Sequence, residues 1–172
     1  MKKIIFLVAL SLSSLNFQSQ ILTPQPSPKC VFNQMVGLTD VEVEYSRPGL
    51  KGRNIFGDLV PFGKVWRAGA NEATQIETDA DLLVEGKKLS AGKYTIYTIP
   101  NENQWQLIFN SQVGQWGIER SGETTRNPEK DVLVVPVKPL SANTPQESLV
   151  YTITENGISL LWEALVIPIN IK

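Results

Sequence analysis

"TDVEVEYS", residues 39–46, is the stretch that decides the fold. Val41, Val43 and Tyr45 alternate with Glu42 and Glu44, so one face is apolar and the other acidic. A period of two is the signature of a half-buried antiparallel strand. The same pattern, or a short apolar run bounded by turn residues, recurs in "CVFNQMVG", "EATQIETD", "DLLVEG", "GKYTIYTIP", "QWQLIFN", "DVLVVPVK", "SLVYTITE" and "GISLLWEALVIPINI". Breaks such as "EGKKLSAG", "PNEN" and "ENG" separate these runs. Asn156-Gly157, inside "TENGIS", sits between two alternating runs and is the strongest hairpin signal in the chain. Helical periodicity is nearly absent, and a turn at "NIFGDLV" is cut short by glycine and proline. About eight to ten short strands predict an all-β antiparallel β-sandwich with one long packed loop; a jelly roll is one arrangement of it. A closed barrel is the alternative, which periodicity does not separate.

The first residues, "MKKIIFLVALSLSSLNFQSQ", set two lysines before an apolar run from Ile4 to Leu15, followed by small and polar residues. That order is a secretory signal peptide, expected over residues 1–20 with release near Gln20. The run is shorter than the roughly 20 residues that span a bilayer. A buried first strand or helix is the competing account. Export leaves periplasm, outer surface and medium open. Residues 21–30 contain "TPQPSPK", an extended proline-rich arm, and residues 31–172 read as one domain. No later segment is apolar enough for stable membrane insertion. Cys30 stands alone, so it forms no internal disulfide and is expected to be buried near the first strand.

There is no histidine, which removes Ser-His-Asp and Cys-His mechanisms and histidine-ligated metals. One cysteine does not build a thiolate metal site, and no phosphate-cradling or dinucleotide glycine motif is present, so no cofactor or metal is expected. Asp79 and Asp81 would suit calcium, but paired acids at a strand end are more often a solvated turn. An enzyme built from this chain would rely on carboxylates, arginine, lysine or tyrosine.

Charge is distributed unevenly. Without Lys2 and Lys3, fourteen basic side chains face 17 acidic ones, a net −3. Between Arg47 and Arg67, five cations (Arg47, Lys51, Arg53, Lys64 and Arg67) face Asp58 alone, a net +4, so the remainder carries −7. An asymmetry this local argues against nucleic acid or an anionic membrane as partner and leaves room for a small anion. The segment "RPGLKGRNIFGDLVPFGKVWRAGANEAT" turns repeatedly at glycine, while Ile55, Phe56, Leu59, Val60, Phe62, Val65 and Trp66 give it apolar anchors. A long connection with its own anchors is a packed loop. Such a loop can gather Arg47, Arg53 and Arg67, whose guanidinium forks grip carboxylate, phosphate or sulfate, beside Trp66 as a flat face for a sugar ring. Asn71 and Glu72 either contact the ligand or cap a turn. The competing account ties the arginines to Glu42, Glu44 and Glu72 and makes Trp66 core.

The block Ser46-Arg47-Pro48, Lys51-Gly52-Arg53, Ile55-Phe56-Gly57, Leu59 to Gly63, Trp66-Arg67 and Gly69 to Thr74 resembles an exported bacterial family, the domain of unknown function numbered 2911. Ala91 to Tyr94, Ile99-Pro100, Trp105 with Phe109-Asn110, and Gln115-Trp116-Gly117 fit it as well. The resemblance spans Ser27 to Trp162 and implies a small β-rich exported domain without an assigned activity. Two places depart from its pattern: Ala68 stands where threonine is expected, and Ile118 to Arg120 lack an aromatic. The leading expectation is a non-enzymatic module whose arginine loop binds a small anionic or glycan-like ligand or a protein partner. A carboxylate-based glycan hydrolase and a purely structural envelope module compete with it; the first needs two carboxyl groups converging in a cleft.

Overall fold

The computed structural model describes residues 23–154 and 157–172. The expected signal peptide and the Asn156 side of the hairpin turn therefore lie outside the described residues. Among those described there are ten strands: β1 (Lys29–Val36), β2 (Thr39–Ser46), β3 (Gln75–Thr78), β4 (Leu82–Val84), β5 (Lys87–Leu89), β6 (Gly92–Ile99), β7 (Trp105–Asn110), β8 (Asp131–Val137), β9 (Leu140–Thr154) and β10 (Gly157–Asn170). One 3-10 turn, Pro128–Lys130, is the only helical element among them. No helix there is long and apolar enough to cross a membrane.

The alternation in β2 does what its pattern requires. Val41, Val43 and Tyr45 are buried, and Val43 lies opposite Phe32 of β1 and Ile76 of β3. Each such side chain contributes about 1.5–3 kcal/mol by leaving water. The main sheet runs β1-β2-β3-β6-β7-β8, antiparallel throughout. Its inner face packs on the long β9–β10 hairpin, whose Leu149, Tyr151, Leu160 and Trp162 complete the core. A bridge between Val84 and Ile171 joins the small β4–β5 hairpin to the end of β10.

The two layers form an all-β sandwich that does not close into a barrel. Neighbours in the main sheet are neighbours in sequence apart from the β4–β5 excursion. That is a meander rather than a jelly roll, because each strand of the sheet returns beside the one before it, even across the long loop between β2 and β3. Of the main sheet's two edges, β8 is capped where Lys87 Nζ donates to the Val134 carbonyl at 3.4 Å, and it carries Pro136. Cys30 is half-buried in β1 and packs against the core.

The candidate anion-binding groove

The connection from Arg47 to Thr74 joins β2 to β3 and is pinned to both layers. Gly49 bridges to Ser148 of β9, and Leu50 N–H donates to the Glu147 carbonyl at 2.7 Å. Farther along, Trp66 and Thr98 exchange main-chain bonds of 2.7 and 2.8 Å, which extends the sheet beside β6 where β3 has ended. Of the expected apolar anchors, Ile55 and Val60 are buried and Phe56, Val65 and Trp66 are half-buried, whereas Leu59 and Phe62 stay exposed; Ala68, not expected as an anchor, is buried too. Ala68, at φ 55°, turns its carbonyl toward two hydroxyls, Thr74 Oγ1 and Tyr151 Oη, each at 2.9 Å.

The three arginines donate to main-chain carbonyls. Arg47 Nε reaches Leu149 O at 3.2 Å. Arg53 donates from Nε to Leu50 O at 3.0 Å and from Nη2 to Gly49 O at 2.7 Å. Arg67 Nη1 reaches Trp116 O at 3.0 Å, with its guanidinium 5.7 Å from the Trp116 ring centre. Among the described residues the ion pairs are Lys29–Glu44, Lys88–Asp81, Lys93–Glu77 and Arg126–Asp131, and none involves a cation of the loop. Arg67 is half-buried; burial pulls its pKa down from the ordinary value, opposed through space by Glu72 and Tyr97. Glu72 itself is exposed.

Arg53, Trp66 and Arg67 line one groove of about 340 Å³ together with Ser27, Leu59, Val65, Ile118, Thr124 and Trp162. A second lobe of about 430 Å³ continues it past the shared Leu59, Val65, Trp66 and Ile118 to Lys64 and Glu123. No carboxylate lines the first lobe, and Glu123 is the acid on the second. Trp66 stacks on Trp162 with centroids 5.8 Å apart and planes at 21°, meets Phe56 and Trp105 edge-on, and donates from Nε1 to Gly69 O at 3.1 Å. It is both core and groove floor.

The remaining candidates do not line the groove. Arg47 is committed to β9. Asn71 Nδ2 faces Gln25 Oε1, Ser27 O and Ser46 Oγ at 3.0, 2.9 and 3.2 Å, which straps the N-terminal arm along the rim. Asp79 accepts from Asp40 N–H at 2.9 Å, while Asp81 accepts from Ala91 N–H at 2.9 Å and pairs with Lys88 at 2.7 Å. The two acids therefore serve separate turns.

Sequence reading did not assign Trp116, Ile118, Thr124 or Trp162 to the site, because three of them sit on a loop some fifty residues away from Arg67 and the fourth is on β10. The glycines flanking "QW" were the available signal. A Cβ on Gly117 would lie 2.8 Å from Arg67 Cβ, so the loop reaches the arginine only because that residue is glycine. Behind the loop, Asn110 and Arg126 converge on Asp131, and burial raises the pKa of the Tyr97 phenol against the hydroxyl of Thr125.

Fold and groove together define an antiparallel β-sandwich whose longest loop builds a basic, apolar-floored cleft. The chain belongs to the family described as Protein of unknown function (DUF2911), whose model matches residues 27–171. No curated protein and no solved structure matches it.

Proposed function

We propose that this domain is an exported binding module that takes a small organic anion in the groove, at Arg67 with Arg53 beside it. One observation supports the reading: Arg67 is half-buried and forms no ion pair among the described residues, with Glu72 acting on it only through space. Withdrawing a cation from water without a paired counter-charge is costly, and a bound anion offsets that cost. Two carboxylates perform glycoside hydrolysis, and the groove presents one, Glu123. The test is a thermal melt of the parent protein and of Arg67→Ala against acetate, phosphate and sulfate. An anion-dependent rise in the parent that Arg67→Ala loses supports the reading. Destabilisation of Arg67→Ala with no anion response in the parent overturns it. Export is tested separately: mass spectrometry should find a mature N-terminus near Ile21, and soluble cytoplasmic protein retaining Met1 would refute it.

A further inference from the structure

We infer that the ligand is an amphipathic carboxylate, a short apolar chain or ring bearing one carboxyl group. This rests on the anion-binding reading and narrows it.

The grip is the first argument. Arg67 uses Nη1 on Trp116 O, which leaves the Nε–Nη2 edge without a partner among the described residues. That edge holds the two oxygens of a carboxylate through parallel bonds. Arg53 has placed its own Nε–Nη2 edge on Leu50 O and Gly49 O, so it adds charge rather than a second fork. One open fork supplies two parallel N–H donors, which match the two oxygens of a carboxylate and leave the third oxygen of a phosphate unmet.

The walls are the second. Beyond the arginines, the floor shared by the two lobes is Leu59, Val60, Val65, Trp66 and Ile118. Leu59 is 45% exposed, an apolar surface left in water beside a cationic end. The neutral polar side chains on the groove are Ser27 and Thr124. A sugar would lose hydration at several hydroxyls and find few replacements. One face of Trp66 is already covered by Trp162, which weakens the case for ring stacking of a sugar. The first lobe, about 340 Å³, lies at the small end of small-molecule sites and opens into the second of about 430 Å³, room for a compact acid with an apolar tail.

Isothermal titration of the mature protein tests this with acetate, hexanoate, octanoate, decanoate, 3-phenylpropanoate, 1-octanol, glucuronate and inorganic phosphate. Affinity should rise about two- to fourfold per methylene from hexanoate to decanoate, approaching the full-burial limit. Octanoate should bind at least tenfold tighter than octanol, acetate, glucuronate or phosphate, and 3-phenylpropanoate distinguishes a ring from a chain as the apolar body. Leu59→Ser, at a 45% exposed wall position and checked by thermal melt for an intact fold, should weaken octanoate severalfold and acetate much less. If phosphate or glucuronate matches octanoate, or affinity ignores chain length, the inference falls and the anion site stands. If octanol matches octanoate, the charged grip is wrong. If no anion binds, the anion-binding reading fails with it.

Discussion

Arg67 is held twice by Trp116: its guanidinium lies 5.7 Å from the centre of the indole and donates to the carbonyl oxygen of that same residue at 3.0 Å. Trp116 is 50% exposed, so the indole serves the arginine more than the core. Trp116→Ala keeps the carbonyl and removes the ring. Stability should fall by only about 0.5–1 kcal/mol, the size of an exposed cation–π contact. Anion affinity should fall severalfold as Arg67 gains rotamers. Melting and titration of the same variant read the two effects separately.

Gly117→Ala tests how tightly the loop is seated. The new Cβ would fall 2.8 Å from Arg67 Cβ and 2.9 Å from Ala73 Cβ, at φ 88°. Overpacking and left-handed strain together should cost about 2–5 kcal/mol. Gly114, at φ 76° with nothing within 4 Å of its built Cβ, is the control; Gly114→Ala should cost about 1 kcal/mol. Urea unfolding followed by circular dichroism measures both, and equal losses would contradict the packing argument.

Asp131 forms a largely shielded ion pair behind the loop. It pairs with Arg126, with only 12% and 15% of the two side chains accessible, and accepts from Asn110 Nδ2 at 2.8 Å. Asp131→Ala would strand a guanidinium and should destabilise by about 3–5 kcal/mol. The double change Arg126→Ala, Asp131→Ala should cost clearly less than the two single alanine changes summed. Additive losses in denaturant melts would show that the pair is not coupled.

Alkaline pH should weaken the fold in a defined direction. Burial raises the phenol pKa of Tyr45, Tyr97 and Tyr151 above the ordinary 10.0. For groups raised on folding, the stabilisation is complete below pH 10 and is lost as pH climbs toward the folded-state values, since the unfolded chain ionises first. The slope should reach up to about 1.4 kcal/mol per pH unit for each phenol. Absorbance at 295 nm should stay low for these three while the protein remains folded. The chain has four tyrosines, so more than one phenolate appearing below pH 10 before unfolding would refute the burial account.

The fold was largely legible because β2 announces itself through period two, and the same rule found most of the meander. It failed where a strand is polar or interrupted. Lys87–Leu89 reads as part of a break, yet Glu85 and Gly86, at φ 48° and 76°, make the tight turn that pairs it with β4. The first half of β9, with Ser141, Asn143, Thr144 and Pro145, falls between the expected strands "DVLVVPVK" and "SLVYTITE"; irregular register against β10 lets it run as strand.

The site was legible only as an excess of charge. Of the three acids expected to absorb that charge, Glu44 pairs with Lys29 at 2.6 Å, Glu42 lines a separate acidic hollow with Asp40 and Glu77, and Glu72, exposed, acts on Arg67 only through space. The acceptors the arginines use are carbonyls of Gly49, Leu50, Trp116 and Leu149, and a carbonyl belongs to every residue. Composition therefore cannot name them; only the path of the chain can.

Neutral acceptors give the loop a particular response to ionic strength. A hydrogen bond to a carbonyl involves no opposite charge for salt to screen, so the posts that hold Arg47, Arg53 and Arg67 keep their strength in brine and in dilute buffer alike. The field those guanidinium groups project into the groove is screened over about 10 Å at 0.1 M salt and about 3 Å at 1 M. Raising sodium chloride should thus leave the loop's architecture in place while slowing the arrival of a charged ligand, so that the medium sets how far the site reaches without altering what it is.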